Sequence, residues 1–376
     1  MYSYAVSGAN FYGQWFTHEN IIEGYKPIDK ISDDGSFDLD RAKIVQLNWS
    51  YNLYEVDGKF YVSGYWGRLE HQLTIVPLPI DFPKDCKTLI IVGSDYYVHM
   101  IDAEKQLVFV LDLKFDKRIT KVILPQQCAR ESELVPNQTK YNRVLKAMMT
   151  SKASILMRQL NREVQIFAGM YPRHVRTDHV KGRIIDVQCG YEHYMCLTDM
   201  GKVYTWGDGK RHQLGHGRME DESIPLEVAA VAGFNIKKIV AGGWHSAVLT
   251  APGDLYMWGQ NDQGQCGIKS LETRKKEIQE GTIDKGMQGY PVATVVNIYD
   301  EELNLVTAKV IDVCCGSVHT AVMLSDYSIW VAGSNDYGQL GLNEQECFEK
   351  RHFIKVHQGT MDTSLLCGPW TTVIVN

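Results

Sequence analysis

Three histidines, His193, His245 and His319, each stand three residues after a glycine: Gly190, Gly242 and Gly316. Histidine is the commonest acid–base group at neutral pH and a frequent metal ligand, so its recurrence raises the question of chemistry first. A catalytic histidine needs a nucleophile or an orienting carboxylate, and three equal copies in one chain argue for a structural role. The expected role is a hydrogen bond from each ring to backbone. Gly207-Asp208-Gly209-Lys210 hints at a phosphate loop, but it lacks the spacing and the Lys-Ser/Thr pair that cradle phosphate. His212 and His216 lie four apart in the same loop, and neither a helix face nor a third ligand is readable, so they are assigned to loop packing. Gly-x-Ser-x-Gly and His-Glu-x-x-His are both absent. The chain is therefore read as non-enzymatic, with no catalytic, metal or cofactor-binding residues.

The elements that hold these histidines repeat. Residues 186–217, 239–268 and 312–342 each run small-Gly-x-x-His, apolar strand, turn, aromatic strand, then a Gly-Gln loop. Val203 and Thr205 alternate with Tyr204 and Trp206, and Leu255 and Met257 with Tyr256 and Trp258, which is the period of a strand. The signature comprises Gly190, His193, Trp206 and Gly207, then Gly242, His245, Trp258 and Gly259, then Gly316, His319, Gly333 and Gly338. Gly368 opens a fourth copy with Thr371 in the histidine position. Successive signature glycines, Gly190, Gly242, Gly316 and Gly368, lie 52, 74 and 52 residues apart. The long interval carries a charged insertion, 269–303, which reads as a solvated excursion. Worn copies fall at about 44–66, 90–112 and 144–169.

A module of this length cannot bury both faces alone, so its recurrence implies stacking of units. Residues 6–16, VSGANFYGQWF, match VAGSNDYGQLG at 331–341. The fourth copy, 367–375, ends before its own aromatic strand and Gly-Gln loop. The two termini are therefore expected to complete one blade together, which leaves no free sheet edge. The predicted fold is all-β, a seven-bladed propeller forming a single domain over 1–376.

Composition agrees. The net charge of −6 across 376 residues argues against a phosphate-binding footprint and direct nucleic-acid binding. No apolar stretch reaches membrane-spanning length, and no signal-peptide core opens the chain. The nine cysteines follow the repeat. Cys189, Cys315 and Cys367 take the small-residue position that Ala241 takes elsewhere, so they read as small buried hydrophobes in a reducing compartment, nucleus or cytosol.

The string W-G-x-[NG]-x-x-[GH]-Q-[LC]-G with upstream C-G-x-x-H resembles the regulator of chromosome condensation repeat. Segments 241–246 (AGGWHS), 213–217 (QLGHG) and 367–370 (CGPW) look most like a small free-standing, chromatin-associated member of that family. This resemblance implies a protein-interaction scaffold or regulatory subunit whose partner is a JmjC-type oxygenase, with chromatin reached through that partner. The iron and 2-oxoglutarate would then belong to the partner. The alternative implied by the family is a guanine-nucleotide exchange factor for a small GTPase. A ligase or kinase accessory module would be expected to carry a further domain. Trp244 is the candidate partner anchor, because its sister positions hold Glu192 and Val318 and the repeat does not demand an aromatic there.

Overall fold

A computed structural model describes residues 2–29, 37–65, 75–77, 89–104, 107–113, 119–123, 144–150, 153–158, 164–168, 171–281, 284, 286–342 and 348–376. Its strands form seven four-stranded antiparallel sheets arranged as a β-propeller. Blades 1 to 3 open with strands Lys43–Leu47, Leu89–Gly93 and Val144–Met149 at the channel. Blade 4 comprises Ile184–Cys189, His193–Thr198, Val203–Gly207 and Glu222–Glu227, from channel to rim. Blade 5 comprises Ile236–Ala241, His245–Thr250, Leu255–Gln260 and Gly289–Val295. Blade 6 comprises Val310–Cys315, His319–Leu324, Ser328–Ser334 and Glu349–Gln358.

Blade 7 is built from both ends of the chain. Its order is Ser364–Gly368, Thr371–Val375, Tyr4–Ala9, Ile21–Ile28. The register runs Tyr4 to Val375, Val6 to Val373 and Gly8 to Thr371, so the N-terminal strand closes the ring. Gly8 has φ of +128°, and a Cβ there would stand 2.3 Å from the Trp370 carbonyl oxygen. Gly333 in blade 6 repeats the arrangement, with φ of +118° and the Val318 carbonyl at 2.4 Å. The match of 6–16 to 331–341 thus rests on a shared backbone requirement that glycine alone meets.

The apolar side chains collect between blades. Seven core clusters are found among the described residues, one at each contact between neighbouring blades. Strand alternation divides them: Leu255 and Met257 pack toward blade 6, whereas Trp258 packs toward blade 4. Burying one such side chain contributes about 1.5–3 kcal/mol, and a single blade could realise little of it alone.

The insertion departs from expectation. Within 269–303 the structure holds a helix, Leu271–Glu280, and the fourth strand of blade 5. Ser270 caps the helix by accepting the Thr273 amide, and Gly281 ends it with φ of +63°. Arg274, buried, donates to the Tyr299 and Asp300 carbonyls, and Lys269 pairs with Glu277 at 2.5 Å. Composition suggested a solvated excursion because the charges dominate; Arg274 instead ties the helix to the turn at Tyr299 and Asp300, and Lys269 ties Glu277 to the residues just before the helix. Residues 282, 283 and 285, like 66 and 169 at the ends of two worn copies, lie outside the described residues.

Candidate protein-interaction face

In every blade the first strand runs to a turn, the second returns, and the third ends on the same side as that turn. The Gly-x-x-His turns and the Gly-Gln loops therefore share one face of the ring. The histidines lie beneath it, fully buried. Each Nε2 meets a hydroxyl of the next blade: His193 to Ser246 at 2.9 Å, His245 to Thr320 at 3.0 Å, His319 to Thr372 at 3.0 Å. Each hydroxyl in turn donates to a loop carbonyl of the histidine's own blade, Gln213, Gln265 or Gln339, at 2.7–3.0 Å. A hydroxyl that donates to the carbonyl must accept from the ring, which fixes the Nε2–H tautomer. The expectation of a ring-to-backbone bond is corrected here. The ring reaches the backbone through a side-chain hydroxyl, and that relay ties two blades together.

Burial pushes His193 and His319 down to about 4, and His245 to about 3, where the neighbouring His319 and His193 add to the effect. These rings are neutral at physiological pH and out of reach of solvent, so they offer no acid–base chemistry. Their glycines have a matching cause. A Cβ at Gly190 would fall 2.2 Å from His193 Cε1 and 2.2 Å from the Gly242 carbonyl of the next blade. Backbone bonds then run around the channel, Tyr191 to Gly243, Gly243 to Gly316 and Ser317 to Pro369, at 2.8–3.0 Å.

The loops above are held by amides. Asn10, Asn261 and Asn335 accept from the backbone five residues on, at 2.8–3.0 Å. Gln14, Gln213, Gln265 and Gln339 accept from the amide two residues back. His212 takes the left-handed position, φ +62°, that glycine fills in the sister loops, and His216 bonds Thr205 Oγ1 at 3.0 Å. Neither joins a group of three potential metal ligands among the described residues.

On this face the aromatic rings gather. Trp49, Tyr337 and Trp370 pack edge-on with centroids 5.0–5.9 Å apart, and Phe11 joins Trp49 and Tyr337 at 5.5–5.6 Å. Tyr12 links the group to Tyr65, which is 42% exposed. These rings come from blades 6, 7 and 1, so the cluster sits over the ring closure. Trp244 belongs to a second group. It is half-buried, edge-on to Tyr191 at 5.6 Å, with the Arg211 guanidinium 4.5 Å above its ring. Tyr191 spans the channel mouth to Ser317, passing over Gly243. Farther out, Met219, Met287 and Phe348 are 53–72% exposed, one on each loop that leads into the fourth strand of blades 4, 5 and 6. Sequence reasoning singled out Trp244 alone. The signal it missed was that closure brings the turns of the first and last blades, with Trp49 and Trp370, side by side.

The regulator of chromosome condensation (RCC1) repeat matches residues 200–249 and 252–323, and a second form of the repeat matches 184–213 and 236–265. Residues 184–323 thus carry RCC-type repeats, and the chain folds as a β-propeller. RCC1 domain-containing protein 1 of Mus musculus is 31% identical over 210 residues, 51% of this chain and 55% of that protein. Its Homo sapiens counterpart is 30% identical over the same length, covering 51% and 56%. The chain thus spans about half the length of the curated relatives it matches. Among solved structures, Prp20p of Saccharomyces cerevisiae, described with its binding to Gsp1p and histones, superposes with TM-score 0.71 at 16% identity. That likeness covers 100% of this chain and 91% of the other, and human WBSCR16 gives the same TM-score over 100% and 98% at 15% identity. Both share the fold. RCC-like repeats on a propeller fold support a protein-interaction or regulatory role. No helix among the described residues is long and apolar enough to cross a membrane.

Proposed function

We propose that the chain is a non-catalytic interaction platform and that its loop face is the docking surface. One observation carries this: the same face gathers the aromatic cluster over the closure and the exposed Met219, Met287 and Phe348. Aromatic and Met side chains on a rigid scaffold, rimmed by charge, are the composition of an interface centre. The resemblance to the chromatin-associated member of the family supports a JmjC-type oxygenase as partner, with chromatin reached through it and the complex in nucleus or cytosol. Trp244 is the anchor to test first, now together with Phe348. The experiment is co-purification of the full chain with the oxygenase, comparing wild type with Trp244→Ala and Phe348→Ala after each variant is shown to fold. Capture by wild type at micromolar concentration and loss in a folded variant is expected; no capture by wild type overturns the partner.

A second reading, nucleotide exchange on a small GTPase, is favoured by the shared fold with Prp20p, described with its binding to Gsp1p. Acceleration of nucleotide release from a panel of small GTPases by the purified chain would establish it in place of the first.

A further inference from the structure

The central channel is lined by the first-strand turns of all seven blades and encloses about 220 Å³ at the loop face. That is below the size of small-molecule pockets, about 300–1,000 Å³, and suits one inserted side chain. Among the lining residues there is a single charge, Asp95, and no lysine, arginine or histidine. Asp95 lies in the turn between Leu89–Gly93 and Tyr97–Asp102 of blade 2. Its Oδ1 accepts from the Ser50 amide at 3.2 Å and the Ser50 hydroxyl at 2.8 Å. Those bonds fix the carboxylate from the blade 1 side, and among the described residues no cation pairs with it. Asp95 remains open to solvent at the mouth, so its free carboxylate oxygen faces the channel opening.

The rim supplies aromatic surface. Tyr96, 38% exposed, follows Asp95, and Trp49 precedes Ser50. Tyr191, bonded to the Ser317 hydroxyl, lines the same mouth. Elsewhere on this face the fold already seats a guanidinium on such a ring, Arg211 over Trp244. A carboxylate with free acceptor sites, in a mouth also lined by Tyr96 and Tyr191, is the chemistry that receives a basic side chain.

We propose that the channel mouth at Asp95 is a recognition site for an arginine or lysine side chain carried on a loop of the partner protein. The inference rests on the reading of this face as the docking surface and names what that surface selects.

The test titrates the full chain with acetyl-Gly-Arg-Gly-amide, acetyl-Gly-Lys-Gly-amide and the neutral acetyl-Gly-citrulline-Gly-amide, following tryptophan indole N–H shifts. Saturable binding of a basic peptide, weakened fivefold or more in Asp95→Asn and absent for citrulline, is expected. Citrulline keeps the shape of arginine without the charge, so that comparison needs no variant. Equal shifts from all three peptides, or equal binding by Asp95→Asn, overturn the proposal. Added salt should weaken the basic peptides only. The same variant in the oxygenase co-purification separates the two readings. Basic peptides binding while the oxygenase does not leaves this site standing and removes the partner. Oxygenase captured equally by wild type and Asp95→Asn, without peptide selectivity, leaves the platform standing and removes this site.

Discussion

The histidine relay shows how one residue can be indispensable without being chemical. His245 donates to Thr320, whose hydroxyl continues to Gln265, so His245→Ala leaves the Thr320 oxygen without its donor. A loss of about 1–3 kcal/mol is expected in denaturant unfolding, with partner binding intact in the folded variant. The tryptophans offer a sharper comparison. Trp258 Nε1 donates to the Gln213 carbonyl of the preceding blade at 2.9 Å, whereas the buried Trp206 Nε1 has no hydrogen-bond partner among the described residues. Trp258→Phe should therefore cost about 1 kcal/mol more than Trp206→Phe. A result in which the two substitutions cost the same would remove the relay carbonyl from the account. The histidines also set an acid limit. Their folded values, about 3 to 4, lie below the ordinary 6.5, so the unfolded chain takes up protons first as pH falls. Stability is full above about pH 6.5 and is lost between there and about pH 4 for His193 and His319, and down to about pH 3 for His245. Each ring contributes a slope of about 1.4 kcal/mol per pH unit. Melting temperature against pH checks this, and His245→Gln should flatten the slope.

At the scale of elements, the sequence was legible where one physical demand was met by one residue type. In blades 4, 5 and 6 the link to the next blade is made by histidine, and the period is plain. In blade 1, Tyr51 makes the link instead, its hydroxyl donating to the Ser94 carbonyl at 2.9 Å. In blade 2, His99 meets Ser154 of blade 3 at 2.8 Å, but through Nδ1 and from two residues deeper in its strand. The demand persists while the letters change, so these copies look worn although the blades form. The helix Leu271–Glu280 failed to register for a different reason. Ten residues rich in charge are marginal as an isolated helix, and its stability comes from Ser270, Gly281 and the docking of Arg274, none of which is periodic. Arg274→Ala should undock it. Amide exchange over 271–280 should rise by about tenfold, equivalent to about 1.4 kcal/mol, with the melting temperature of the ring almost unchanged. Exchange that stays slow would mean that Lys269 and Glu277 hold the helix without Arg274.

For the whole molecule, the decisive joint is blade 7, where the first strand of the chain lies between the last strand and Ile21–Ile28. Each blade contact has its own apolar cluster, so removing one strand damages two contacts and the rest of the ring keeps its cores. Deleting residues 1–16 takes away Tyr4–Ala9, the loop built by Asn10 and Gln14, and Trp15 from the core between blades 7 and 1. It also removes Phe11 and Tyr12 from the aromatic face, so structure and docking should fail together. The exposed edge of Thr371–Val375 would then be free to pair with another chain. A fall in melting temperature of more than about 5 °C, with association at higher concentration, is the expected result by calorimetry and light scattering. A truncated chain that stays monomeric with unchanged melting would show that the ring does not depend on its closure. If partner capture also survived, the aromatic cluster over the joint would have no part in docking.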